Sequence, residues 1–171
     1  MDALTALRSK RDTRSYRPDP IDDAILDQVL DAARMAGSAK NRQPVRMVVV
    51  TDLDTKTALR DAGDFATWIH EAPVVVVVTV RNDVGPRGMF DVGRHAQNLM
   101  VAAQASGLAS CPVTIHHPDV ARRILAIPDD IEPAMIVTLG RPGDRDRSNP
   151  VAGPRIALQD YAPRGAWTGD V

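Results

Sequence analysis

Two short stretches hold most of the side chains that could do chemistry. The first is Arg8-Ser-Lys-Arg-Asp-Thr-Arg14, with Arg17 just beyond. Arg8, Lys10, Arg11 and Arg14 could converge on one phosphate, and a guanidinium fork grips two phosphate oxygens at once. A solvated basic edge, partly neutralised by Asp12 and Asp19, has the same composition. Lys occurs only at positions 10, 40 and 56, so arginine is the habitual cation and only clusters of it carry weight. The second stretch is Ala36-Gly-Ser-Ala-Lys-Asn-Arg-Gln-Pro44. Its small residues let backbone approach a ligand closely. Ser38, Asn41 and Gln43 bring donors and acceptors that suit the polar edge of a ring. A plain helix-to-strand connection whose Ser and Asn bond local backbone reads the same way.

Other candidates are weaker. Asp91, Arg94, His95, Gln97 and Asn98 cluster at the start of an alanine-rich helical pattern. A buried unpaired amide costs roughly 1–3 kcal/mol, so packing against a neighbouring element is the expected role of Gln97 and Asn98. His116 and His117 are adjacent, which on a strand points them to opposite sides and argues against a metal site. Cys111, before Pro112, reads as a small buried residue. Met35, Met47, Met100 and Met135 fall at core spacings. Neither a GxGxxG fingerprint nor a GxxxxGK[ST] loop is present.

These stretches sit among alternating helical and β-rich runs. A short helix is expected over Asp2 to Ser9, then loop or extended chain to Tyr16, stopped by Arg17-Pro-Asp-Pro20. Asp22 reads as an N-cap, followed by the apolar stripe Ile25, Leu26, Val29, Leu30 and Ala33, with Gly37 at the C′ position. Strands are expected at 45–51, 74–80, 109–115 and 133–139. The run Val74 to Val80 lacks polar alternation, as a strand covered on both faces does. Helices are expected at 54–61, 90–106 and 118–125, and a helical turn at 64–71 with Phe65, Trp68 and Ile69 on one side. The helix over 90–106 is apolar nearly all round, as a central buried helix is. Segment 82–88 reads as a turn-rich loop. Segment 141–154 reads as loop, and the tail to Val171 as an arm over a partner. The pattern predicts a three-layer α+β sandwich with helices on both faces of one sheet, in a single domain.

Composition bounds the rest. The 171 residues are 44% apolar and 25% charged, with a formal net charge of −1. That balance gives no general attraction to nucleic acid or an anionic membrane. The longest apolar run, Ala72 to Val78, is far short of a membrane span. Cys111 is the sole cysteine, which rules out an internal disulfide. With no signal-peptide pattern at the N-terminus, a cytoplasmic protein is expected.

The order of these pieces resembles the nitroreductase-like flavoprotein family. That family opens with Arg-Arg-Ser-x-Arg-x-Phe and continues through a helix into Ala-Pro-Ser-x-x-Asn-x-Gln-Pro-Trp and a hydrophobic strand. The counterparts here are Lys10-Arg-Asp-Thr-Arg-Ser-Tyr16 and Ala36-Gly-Ser-Ala-Lys-Asn-Arg-Gln-Pro-Val45. The Asp91 to Asn98 helix, the Gly107-Leu-Ala-Ser-Cys111 turn, Leu139-Gly-Arg-Pro142 and Gly153-Pro-Arg155 also resemble the family's segments. The resemblance implies a mainly antiparallel sheet, an interlocked homodimer, and FMN in clefts at the subunit interface. It implies that Lys10, Arg11, Asp12 and Arg14 meet the FMN phosphate, ribityl chain and ring edge. Ser38 and Asn41 match positions that serve the flavin of the other subunit, and Gln43 of the same motif is counted among the cofactor-binding residues. Pro112, Val113 and Thr114 match a strand edge beside the ring, and Arg155 matches a late residue reaching the phosphate. The implied activity is ping-pong electron transfer from NADH or NADPH, through FMN, to a small organic acceptor: a nitro compound, a quinone or an activated alkene. No protein nucleophile or essential acid–base residue is expected. Asp12 stands where Ser is common, Gly37 where Pro is, and Val45 where Trp is. The Arg-Asp-x-Arg-x-aromatic form also occurs in the flavin-cleaving branch that makes dimethylbenzimidazole. That activity, and a non-catalytic flavin-storage protein, are the alternatives. The short stretch Arg81 to Met89 leaves no room for the lid helices of longer members.

Overall fold

A computed structural model describes residues 1–144 and 155–167. The valine run forms the spine of the fold, and the two faces of its strand separate by parity. In β2 (Val74–Arg81), Val74, Val76, Val78 and Val80 enter one apolar cluster, while Val75 and Val77 enter the other. β1 (Val45–Val50), β3 (Ala109–Thr114) and β4 (Ile131–Gly140) join β2 in a sheet of order β1-β2-β4-β3, with every neighbouring pair antiparallel. The prolines obey the ladder. Pro112 lies on edge strand β3, and Pro133 lies where β4 slips register against Val78 and Thr79.

Helices cover both faces, as expected. On one side lie α1 (Ala3–Ser9), α2 (Asp23–Arg34) and α4 (Arg87–Ala105). On the other lie α3 (Leu53–Ala58), α5 (Pro118–Leu125) and 3-10 turns at Leu59–Ala62 and Ile69–Glu71. The Asp22 side chain accepts from the Ala24 N–H (2.9 Å) and starts α2, which buries Leu26, Val29 and Ala33. α4 ends in a Schellman arrangement. Gly107 takes φ +76°, and the Leu108 N–H reaches the Ala103 carbonyl (2.8 Å). Lys56 is buried in α3 and donates to the carbonyls of Ala72 (2.7 Å) and Pro73 (3.3 Å), tying α3 to the entrance of β2. Burial pushes its pKa down. Lys56→Met should lower stability by about 1–3 kcal/mol, because it strands those carbonyls. Urea unfolding reads this directly, and an unchanged midpoint would show that the tie contributes nothing.

Several expectations need correction. α4 begins at Arg87, so much of the loop expected at 82–88 is helix or 3-10 turn. Only one face of α4 is buried. Phe90 (69% exposed) and Met89 project from the other, so in a single chain it is not buried all round. Gln97 is exposed, whereas Asn98 donates to the Ala32 carbonyl (3.3 Å) as a packed amide should. Met35 is exposed rather than core, unlike Met100. Gly37 does not cap α2 with a positive φ. It makes room for Arg94, whose guanidinium would lie 2.8 Å from an added Cβ. The helical turn at 64–71 is a turn and a 3-10 segment, and it splits its apolar residues: Ile69 is buried and Phe65 is 75% exposed. β4 starts at Ile131, two residues earlier than expected.

The tail carries a short helix, α6 (Leu158–Tyr161), and displays Ile156, Leu158, Tyr161 and Trp167 to solvent. Most of the loop expected at 141–154, with Gly153 and Pro154, lies outside the described residues. Among the described residues no helix is long and apolar enough to cross a membrane.

Candidate functional site

The basic segment leaves α1 as extended chain laid across the ends of β3 and β4. Asp12 bridges to Ser110, and the Thr13 N–H donates to the Ser110 carbonyl (3.0 Å). Further along, the Gly143 N–H reaches the Ser15 carbonyl (2.9 Å) and the Arg17 N–H reaches the Arg141 carbonyl (3.0 Å). Tyr16 pins the crossing. Its hydroxyl lies 2.7 Å from the Thr138 hydroxyl, and its ring rests on Gly140, where a Cβ would come within 2.7 Å of Cδ1. Burial drives the Tyr16 phenol far above its ordinary pKa. The Leu139-Gly-Arg-Pro142 turn is thus the seat of Tyr16.

This crossing delivers Arg14 to a slot. Tyr16 stacks on Trp68 with ring centroids 6.5 Å apart, and the Arg14 guanidinium lies over Trp68 at 5.7 Å. A cavity of about 220 Å³ opens there, lined by Arg14, Phe65, Trp68, Pro112, Val113, Thr114 and His116. The structure therefore brings Arg14 together with Pro112, Val113 and Thr114. It does not gather the other cations within the chain. Arg11 turns back to the carbonyls of Arg8 and Lys10 (2.8 Å each), Lys10 pairs with Asp12, and Arg17 lies 4.0 Å from Asp144. Arg155 stands exposed where the tail resumes, and no described residue forms an ion pair with it. Cys111 is buried beside the slot, and burial pushes its thiol pKa up, which suits packing rather than nucleophilic attack.

Three lining residues escaped the sequence reading. Phe65 and Trp68 looked like one apolar side of a turn, and His116 looked like a strand residue. β3 ends at Thr114, so alternation does not govern the two histidines, and both face Asp64. His117 Nε2 lies 2.8 Å from Asp64 Oδ1, and His116 Nδ1 accepts from the Asp64 N–H (3.2 Å). The signal for this wall was composition: Phe65 and Trp68 are two of the chain's six Phe, Trp and Tyr residues, spaced i, i+3 in a turn.

The 36–44 loop sits elsewhere and lines none of this cavity. Ser38 Oγ accepts from the Gln43 N–H (2.8 Å), and the Gln43 side chain donates to Asn41 (3.1 Å). Local bonding of this kind is what a plain connection predicts. The backbone goes beyond it: Lys40, Asn41 and Gln43 take φ of 53°, 52° and 47°. Three left-handed non-glycine residues within four positions are costly, and such strain concentrates at ligand sites.

The fold is thus a layered α+β sandwich with an arginine-and-aromatic slot beside edge strand β3. The comparisons narrow the class. A model of the Nitroreductase family matches residues 7–66 and 65–141. The chain is 30% identical over 181 residues to an NADH dehydrogenase of Thermus thermophilus, covering 84% of this chain and 88% of that one. It is 48% identical over 123 residues to a 5,6-dimethylbenzimidazole synthase of Rhodobacter capsulatus, covering 67% of this chain and 58% of that one. The crystal structure of a nitroreductase family protein from Clostridium difficile 630 superposes with a TM-score of 0.82 at 25% identity, covering 97% of this chain and 99% of that one. The chain belongs to the nitroreductase family.

Proposed function

We propose that this protein is an FMN-dependent oxidoreductase that takes electrons from NADH or NADPH and hands them to a small organic acceptor, working as a homodimer in the cytoplasm. The observation that carries the reading is the Arg14–Trp68 slot against Pro112 to Thr114. The donor chemistry fits FMN: a fixed guanidinium for phosphate or ring oxygens, an aromatic wall for a planar ring, and a strand edge with backbone polar groups. Size fits as well. About 220 Å³ is below the roughly 300–1,000 Å³ of typical small-molecule sites, as half of a shared cleft should be. Ser38, Asn41 and Gln43, remote from the slot in their own subunit, then serve the partner's cleft. Arg155 and the exposed tail reach across the dimer as an arm.

Bound FMN would supply the redox chemistry. The chain's residues bind, orient and shield it. Arg14 is held over Trp68 so that its charge has little freedom to swing away. Tyr16 and Gly140 fix the segment that carries it. Phe65 stands exposed at the rim, where an acceptor enters. The protein should purify yellow, bleach when mixed anaerobically with NADH or NADPH in a stopped-flow instrument, and regain colour with a quinone or nitroarene. Failure to bleach with either nucleotide at saturation would overturn the reductase reading.

A second reading rests on Asp12. This carboxylate stands at the rim of the basic segment, paired with Lys10, and the relative with 48% identity is a dimethylbenzimidazole synthase. Formation of dimethylbenzimidazole from reduced FMN under oxygen would favour it over acceptor reduction.

A further inference from the structure

We propose that Lys40, Arg42 and Arg87 form a phosphate subsite that selects NADPH over NADH through the 2′-phosphate. This deepens the oxidoreductase reading and rests on it. The three cations line a cavity of about 170 Å³ together with Pro44, Val84 and Asp91. None of the three side chains forms an ion pair or hydrogen bond with a described residue. The nearby acids are already engaged: Asp91 is buried with Arg94 at 3.7 Å, and Asp83 is clasped by Arg81, with Nε at 3.0 Å. Asp83 also lies within electrostatic reach of Arg42, but its carboxylate is hydrogen-bonded to Arg81. After those pairs, three positive charges face one small cavity unmatched. A carboxylate needs one arginine, whereas a dianionic monoester phosphate uses all three cations.

Position identifies the phosphate. Lys40 lies between Ser38 and Asn41, the residues read as serving the partner's flavin. It is displayed at φ +53°, an unfavourable conformation for a lysine held for no purpose. On that reading the loop borders the cleft that a nicotinamide nucleotide enters. The FMN phosphate is assigned to the basic segment at the other end of the fold, which leaves the 2′-phosphate of the reductant for this cavity.

The test uses the flavin-loaded full chain and its Arg42→Ala, Arg87→Ala and Arg87→Lys variants. Adenosine 2′,5′-bisphosphate and 5′-AMP are titrated by calorimetry, and KM is measured for NADPH and NADH. The bisphosphate should bind roughly 10-fold or more tightly than 5′-AMP, and each alanine variant should abolish most of that preference. KM for NADPH should rise by a similar factor, with NADH kinetics and flavin content unchanged, and Arg87→Lys should restore part of the preference. Equal binding of the two adenosine probes to the unsubstituted protein would overturn the proposal. So would loss of flavin from the alanine variants, which would make the FMN phosphate the occupant. A rise in KM confined to a carboxylated nitroarene would assign the cavity to the acceptor instead. If no nucleotide bleaches the flavin, the reductase reading fails alone, and the bisphosphate titration still decides the subsite.

Discussion

Arg14→Ala is expected to weaken FMN binding by roughly 10- to 100-fold, the scale of a lost charge-assisted pair worth about 1.5–3 kcal/mol. The geometry makes this substitution informative. Arg14 is the one member of the basic segment that lines the slot, and the stack on Trp68 holds it there. The fold does not depend on it, because backbone bonds to Ser110 and Arg141 and the Tyr16 anchor carry the segment. The variant should therefore keep its circular dichroism and unfolding midpoint while losing flavin on dilution. Arg14→Lys should fall between, since it keeps the charge and loses the fork and much of the stacking. Flavin affinity unchanged in Arg14→Ala would remove the basic segment from the site.

Gly93→Leu should convert a dimer into monomers and release the flavin. Gly93 lies on the uncovered face of α4, close to Met35, Met89 and Phe90 around one groove. Within the chain, an added Cβ there meets nothing within 4 Å. In an isolated subunit the change should be neutral or stabilising, because leucine is a better helix former than glycine by up to about 1 kcal/mol. With open space around that Cβ in the single chain, a second chain seated on this face is the expected source of a clash. Light scattering gives the mass, and the unfolding midpoint controls for folding. A dimer of undiminished affinity would take this face out of the interface and with it the shared cleft.

The sheet was legible because its chemistry is repetitive. A β-branched run without polar alternation favours a strand covered on both faces, and β2 behaves so residue by residue. Asp22 marked a helix start through local physics alone, as a side-chain cap. What the sequence concealed depends on where chain segments meet. Nothing local says that Arg14 would turn to Trp68 while Arg11 folds back on its own backbone. Phe65 carries the periodicity of a core residue and ends up exposed, because the turn that holds it is not a helix. The apolar circumference of α4 suggests a helix buried all round, and within the single chain that expectation fails at Met89 and Phe90. The described chain supplies cover on one side only, and the proposed dimer supplies the rest. The 36–44 loop is conspicuous as polar sequence, yet nothing in its composition marks the left-handed backbone at Lys40, Asn41 and Gln43, none of which is glycine.

The central claim is that two copies of this chain build shared FMN clefts. Native mass spectrometry of the purified protein, followed by identification of the chromophore released on denaturation, tests it directly. The account predicts a dimer carrying FMN at one equivalent per subunit, which separates into flavin-free chains on unfolding. A monomer that binds FMN at full affinity, or a dimer that takes up no flavin when FMN is supplied, would contradict it.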